Sequence, residues 1–277
     1  MTTPDGRAAA PLATSEGLTT GAAGFATQTL AVAAAEMQKL RHDPSDIFMR
    51  AIQPAIWLVL FGGVMGQARG ISPTGTRYLD FLAPGILAQS VLFAAIFYGI
   101  SAIWERDLGV LHRYMVSPAP RVALVLGKGI SAAIRGLTQG VVIYLLALAL
   151  GIAVDLSPVN LLAVAGVIAL GSALFSTFSL IIACIVRTRE RFMGIGQVLT
   201  MPIFFASNAI YPIAMMPAWL QVVSQGNPLT YQVDALRTLM IKGGVSSFGL
   251  GLDFLVLMAV TGLLVLIAAR LYPRMTD

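Results

Sequence analysis

The sequence predicts an all-α polytopic membrane protein: six transmembrane helices, a short charged helix at the cytoplasmic surface and an external re-entrant element before the last span. Three observations carry this. Apolar residues make up 57% of the 277 and charged residues only 11%, less than half the ~25% of a soluble domain. Six stretches with few or no charges reach or approach the ~20 residues that a helix needs to cross ~30 Å of hydrocarbon. The alternating ~10-residue segments of a membrane barrel do not occur in the sequence.

The elements follow in order. Residues 1–24, rich in Ala, Thr and Gly and without an apolar core of signal-peptide type, read as a disordered cytoplasmic tail. Residues 25–45 read as an interfacial amphipathic helix, with good helix formers up to Lys39 and Arg41. Asp43-Pro44-Ser45-Asp46 breaks it and offers a cap to the next helix. The six-span body, 46–277, then holds spans at Ile47–Met65, Phe81–Ile103, within Val122–Val154, at Val159–Val186, Phe192–Ile213 and Leu250–Ala269. Lys128 and Arg135 sit in the first half of the third run, so its membrane portion is expected from about Ile134, with both side chains snorkelling. From Phe192 to Val233 no residue is charged, nominally enough for two spans. Pro212, Pro217 and Gly226-Asn227-Pro228 cut the second half into pieces too short to cross, so 214–242 is expected to be re-entrant.

Lysine and arginine set the orientation. With the N-terminus inside, fourteen of them fall in cytoplasmic segments, and only Arg69, Arg77, Arg237 and Lys242 fall outside. The positive-inside rule then puts both termini in the cytoplasm of an inner (plasma) membrane. The net charge of +5 is explained by basic residues flanking spans and facing anionic lipid, so no nucleic-acid partner is implied. Cys184 lies alone in an apolar run and is expected to be an inert buried thiol.

One charged segment interrupts the apolar pattern: WERDLGVLHRYMVSPAPR, from Trp104 to Arg121. Trp104, Leu108, Leu111 and Met115 share one helical face, while Arg106 and Arg113 point the other way. At least four charges at ~2.5–3.5 kcal/mol each forbid insertion, so 104–117 is expected to lie along the cytoplasmic surface until Ser117-Pro118-Ala119-Pro120 re-aims the chain. The residues alone allow either an ordinary charged loop or a surface helix on which a cytoplasmic partner pushes.

Pro84-Gly85, Glu105-Arg106-Asp107, Gly109, Leu111, Ser117-Pro118, Arg121 and Gly127-Lys128 stand in the order found in type-2 ABC transporter permeases. Asn227-Pro228 with Tyr231, Asp234 and Arg237 resembles that family's external motif before the last span. The chain is therefore similar, over most of 45–270, to daunorubicin-resistance permeases and to nodulation-factor and polysaccharide exporters. His112 departs from the pattern, since many relatives carry an acid there. The resemblance implies that 104–117 is a coupling helix, with Glu105, Arg106, Asp107, Gly109, Leu111, Arg113, Pro118 and Arg121 meeting a separate ATP-binding cassette subunit. It also implies a second permease subunit, identical or different, and export of an amphiphile. ATP and Mg would be bound by the partner: this chain has no P-loop, Gly127-Lys128 being followed by Gly129.

Two further sets are candidates. Asn227, Pro228, Tyr231, Asp234 and Arg237 form either a capped helix covering the pore mouth or an external gate, with Asp234 and Arg237 spaced to pair. Phe93, Phe97, Phe204, Phe205 and Asn208 lie mid-span, as packing aromatics or as the wall of a substrate path. Neither His42 nor His112 has a metal-ligand neighbour, and catalytic motifs are missing. The expected function is an ATP-driven exporter of a drug-like or lipid-like amphiphile, hence multidrug efflux or antibiotic resistance. Export of a polysaccharide or lipid-linked glycan is the alternative, and a membrane-embedded lipid-modifying enzyme, a passive channel or an assembly factor are alternatives of other classes.

Overall fold

A computed structural model describes residues 44–65, 77–108, 121–186 and 188–272. The expected tail, nearly all of the interfacial helix 25–45, and 109–117 of the charged segment lie outside the described residues. The described chain is helical throughout: α1 (Pro44–Met65), α2 (Tyr78–Asp107), α3 (Arg121–Ala149), α4 (Pro158–Ile185), α5 (Arg189–Phe205), a 3-10 turn (Ile213–Met215), α6 (Ala218–Gly226), α7 (Pro228–Met240) and α8 (Leu250–Leu271). Among the described residues four helices, α2, α3 from Leu124, α4 and α8, are long and apolar enough to cross a membrane. The apolar part of α1, Ile52–Met65, is shorter, and α5, at 17 residues, spans about 26 Å.

Local chemistry fixes the ends. α3 stops where Gly151 takes φ +67°; its amide donates to Leu148 O and the Ile152 amide to Ala147 O, both at 3.0 Å, a Schellman closure that only glycine enters without strain. Ser157 caps α4 by accepting from the Asn160 amide, with Pro158 at the first helical position. Beside this cap the Asp155 carboxylate accepts from the Ser157 amide at 2.8 Å and Asn160 Nδ2 at 2.7 Å. These bonds, the Ser157 amide first, hold its carboxyl below the ordinary carboxylate range.

Two boundaries differ from the sequence reading. Trp104–Asp107 are the last turn of α2, not the first turn of a separate surface helix. Nothing breaks the helix after Ile103, and its terminal charges find partners on neighbouring helices, so it runs on until Leu108, whose amide closes on Trp104 O at 2.9 Å. The expected fifth span, Phe192–Ile213, ends early at Phe205. There the Ser207 hydroxyl donates to Phe204 O at 2.6 Å and accepts from the Ala209 amide at 3.3 Å. Such local bonds offer the backbone an alternative to the helix. Residues 206–210 are nevertheless buried, and irregular backbone at depth is tolerated in a membrane protein only when enclosed by protein.

Helix α4 is the axis of the bundle, packed by α2, α3, α7 and α8. Small residues allow close approach: Gly136 of α3 faces Ser172 of α4, and a Cβ at Gly136 would run into the Ser172 hydroxyl. On α1, Gly62 leaves room for Leu79 in the same way. The larger core joins α1, α2, α4, α5 and α7 around Leu58, Leu82, Ile86, Phe175, Phe204 and Leu236, all 0–1% exposed. A second cluster, with Ile103, Ala183, Phe192, Ala268 and Tyr272, lies towards the other end.

Candidate functional sites

The alternating helices bring two groups of charged side chains to opposite ends of the bundle. At the Trp104 end, Lys128 Nζ on α3 donates to Glu105 Oε2 at 2.6 Å. Arg189 at the start of α5 donates twice to Asp107 Oδ2, at 2.8 and 3.1 Å, and its guanidinium lies 3.9 Å from the centre of the Trp104 ring. Arg106 donates to Val186 O at 3.4 Å and pairs with Asp107 at 3.3 Å. The charged end of α2 thus ties α3 to the α4–α5 turn. These side chains stay partly exposed, with Asp107 at 38% and Arg189 at 37%. Of the other expected coupling residues, Gly109, Leu111, Arg113 and Pro118 lie outside the described residues, and Arg121 is the first residue of α3.

At the opposite end, Asn227 caps α7: its Oδ1 accepts from the Leu229 amide at 3.0 Å while its Nδ2 donates to Ile203 O on α5 at 2.6 Å. Pro228 opens the helix. The Tyr231 hydroxyl donates to Gln225 O at 2.7 Å, and its ring lies 5.1 Å from that of Phe248. Asp234 and Arg237 direct their hydrogen bonds elsewhere than to each other. Asp234 Oδ2 accepts from Ser246 Oγ at 2.6 Å, the Ser247 amide at 2.9 Å and the Phe248 amide at 3.3 Å, which folds the α7–α8 loop onto α7. Arg237 donates to Asn208 O at 2.8 Å and to Phe81 O at 3.4 Å, over the Phe81 ring at 3.9 Å. That grip anchors the irregular segment after α5. Beneath it a Cβ on Gly85 would strike the Ala209 carbonyl, which explains glycine after Pro84. Sequence reasoning missed Asp253 in the first turn of α8. It is fully buried and shares the Ser246 hydroxyl, at 3.3 Å, with Asp234.

Between α1, α2 and α3 lies a cavity of about 600 Å³, within the ~300–1,000 Å³ usual for small-molecule sites. It runs along α2 from Gln89, 3% exposed, to Trp104 and Leu108, 49% and 71% exposed. Fifteen residues of helix separate Gln89 from Trp104, about 22 Å. Phe93 and Phe97, stacked at 6.3 Å, form one apolar wall. The expected partners Phe204, Phe205 and Asn208 are elsewhere: Phe204 packs on Trp57 and Phe205 at the end of α5, and Asn208 is buried in the turn beyond. Gln53, Gln89, Arg135 and Gln139, which supply the polar wall, were missed. The signal was present in their i,i+4 spacings, 89-93-97 on α2 and 135-139 on α3, which put each set on one face. A second, more apolar cavity of about 390 Å³ lies at the Asn227 end, lined by Phe61, Tyr78, Tyr211 and Met216 among others. None of the five expected gate residues lines it.

The profile of the ABC-2 type transporter family matches residues 27–241. The chain belongs to the ABC-2 type transporter family. Among its relatives, the ycf38 protein of Cyanophora paradoxa, named as a transport permease, is 30% identical over 207 residues, covering 73% of this chain and 70% of its own. The daunorubicin resistance ABC transporter permease protein of Streptomyces coeruleorubidus is 25% identical over 236 residues, 85% of this chain and 82% of its own. Nodulation protein J of Rhizobium leguminosarum bv. trifolii is 30% identical over 191 residues, 68% and 71%. The resemblance seen in the motifs is borne out, and this ABC-2 permease is a multi-pass membrane transport subunit.

Proposed function

We propose that this ABC-2 permease is the membrane-spanning half of an ATP-driven exporter, moving a drug-like or lipid-like amphiphile out of the cytoplasm or inner leaflet. ATP and Mg are bound by a separate ATP-binding cassette subunit, and a second permease subunit, identical or different, completes the path. The observation that carries this reading is one helix serving two sites. α2 walls the cavity with Gln89, Phe93 and Phe97 and ends in the Glu105-Arg106-Asp107 cluster. A force applied at Trp104–Asp107 acts directly on the cavity wall, because the helix between them is continuous. The Trp104 end is taken as cytoplasmic, since it gathers Arg106, Lys128, Arg189 and Arg191.

In this reading the ion pairs of Glu105 and Asp107 are a joint that the motor reworks. A pair as exposed as Asp107–Arg189, at 38% and 37%, contributes only ~0–1 kcal/mol, so exchanging one partner for a residue of the motor costs little. Rocking of α2 against α3 and α5 then opens or closes the cavity, a switch between two packed arrangements. At the other end, Asn227, Pro228, Tyr231, Asp234 and Arg237 act as the bracing of an external gate. Nodulation protein J carries a name tied to nodulation, and a glycan-bearing lipid is the alternative cargo, favoured by the three glutamines of the cavity.

Co-expression with the ATP-binding subunit tests the reading. The two are expected to co-purify, and an amphiphile is expected to stimulate ATP hydrolysis in liposomes. Arg106→Glu with Arg113→Glu is expected to abolish co-purification while leaving a folded permease; undiminished binding of the reversed protein would contradict the assignment.

A further inference from the structure

Two acids meet where the α7–α8 loop folds back on the bundle, and their surroundings differ. Asp234, 1% exposed, accepts from the Ser246 hydroxyl and from the amides of Ser247 and Phe248. Asp253, 0% exposed, meets Ser246 Oγ through Oδ2 at 3.3 Å. The Oδ1 atom of each acid has no hydrogen-bond partner among the described residues. Because both carboxyl groups touch one hydroxyl, they lie within about 6 Å of each other, close enough for two like charges to oppose one another.

The protons at Ser246 decide which acid is charged. A serine hydroxyl has one proton to donate and two lone pairs that accept. Its proton goes to Asp234, the shorter contact at 2.6 Å. One lone pair takes the Gly249 amide, also at 2.6 Å. The other faces Asp253 Oδ2, and that contact is a hydrogen bond only when Asp253 supplies the proton. Ionised, Asp253 would be a buried carboxylate without a donor beside a second negative charge, which is costly on both counts. Asp234, with three donors, is the acid built to hold charge.

The elements packed around Asp253 bring little to offset a second charge. α7 supplies Tyr231, Asp234 itself and Arg237, which is bonded to Asn208 O and Phe81 O. α4 has no charged side chain. On α3 the cations Arg121, Lys128 and Arg135 stop at the helix midpoint, leaving Tyr144 in the half beyond. The next charge on α8 is Arg270, in its last turn. The adjoining loops hold Asp155 and the exposed Lys242. Among the described residues no three His, Cys, Asp or Glu side chains gather to hold a metal. We infer that Asp253 carries a proton in the folded chain, and that this proton locks the α7–α8 loop onto α7. Its loss puts a second buried negative charge beside Asp234, and lifting residues 241–249 relieves the repulsion by admitting water. The lock therefore opens as pH rises on the side that the Asn227 end faces.

Hydrogen exchange of the 241–249 amides in the full chain tests this, wild type against Asp253→Asn. The asparagine amide can donate to Ser246 as the acid does, but it cannot ionise. The ratio of wild-type to variant exchange is expected to rise with pH, by up to about tenfold per pH unit between about pH 6 and pH 9, as one linked proton requires. The same ratio for amides of α4 is expected to stay constant. Infrared spectra in heavy water identify the carrier. A protonated-carboxyl band is expected at neutral pH in wild type and in Asp234→Asn, and is expected to be missing from Asp253→Asn. A ratio that ignores pH, a wild type without the band, or a band removed by Asp234→Asn but kept in Asp253→Asn would each overturn the inference. Replacing sodium by choline at fixed pH is expected to change nothing; exchange that follows sodium would assign the acids to a metal cation and overturn it as well. Neither motor nor cargo enters these measurements, so their outcome is separate from the exporter reading.

Discussion

The two ends of the bundle use the same residue types for opposite purposes. At the Trp104 end charge meets charge: Glu105 with Lys128, and Asp107 with Arg189, on side chains left partly in contact with solvent. At the Asn227 end charge meets backbone: the buried Asp234 takes two amides of the α7–α8 loop, and the half-buried Arg237 takes the carbonyls of Phe81 and Asn208. Exposed ion pairs are individually weak and exchangeable, whereas a buried charged group bonded to backbone is costly to disturb, because its partners cannot turn to water. One end is therefore a joint and the other a frame. A transporter driven from one side needs both, since a joint moves a cavity wall only when the far end of the lever is held.

Substitutions that break this contrast are expected to rank accordingly in thermal unfolding of the purified chain. The largest loss belongs to Asp234→Ala, which strips Ser246 and two loop amides of their acceptor; about 3–4 kcal/mol is expected. Asp253→Asn sharpens the point, for it removes a carboxylate beside Asp234 while keeping a polar side chain near Ser246, and no loss is expected. Next comes Arg237→Met, at about 2–3 kcal/mol, with the segment after α5 becoming accessible to protease. Arg189→Met at the other end, in the exposed pair with Asp107, is expected to cost at most about 1 kcal/mol, and even that to shrink at high salt. The smallest of the losses is that of Asp155→Ala, and it carries a pH signature. Its native carboxyl is held below the ordinary value by the Ser157 amide and Asn160. The stabilisation is therefore present above the unfolded value of about 3.9 and lost as pH falls through the native one. The difference in Tm between wild type and variant is expected at pH 7 and should fade in acid.

Much of this was legible in the sequence, and particular residues show where legibility stops. The uncharged runs in α2, α4 and α8 gave their helices to within a few residues, since length and polarity alone decide them. The end of α5 at Phe205 was not readable. Residues 206–213 carry no charge to end a span, and the decision rests on the Ser207 hydroxyl and on whether Gly85 leaves room for the Ala209 carbonyl. The first is a local bond that competes with the helix, and the second is a tertiary fact. At the Trp104 end the charges were seen, but their partners on α3 and α5 could not be, because residues 23 and 82 positions away supply them. The i,i+3 spacing of Asp234 and Arg237 suggested a local pair, and long-range backbone groups won instead. Arg135 read as a snorkelling side chain at a helix end; only the packing of α2 beside it reveals a polar wall shared with Gln89.

The claim that one end moves while the other holds is tested most directly by spin-label distances in the complex with the ATP-binding subunit. One label pair, at Leu108 and Glu190, spans the joint, and another, at Leu156 and Val245, spans the frame; all four positions are exposed. On trapping nucleotide the Leu108–Glu190 distance is expected to change while the Leu156–Val245 distance stays fixed. A frame pair that shifts as much as the joint pair, or a joint pair that does not shift at all, would contradict the account.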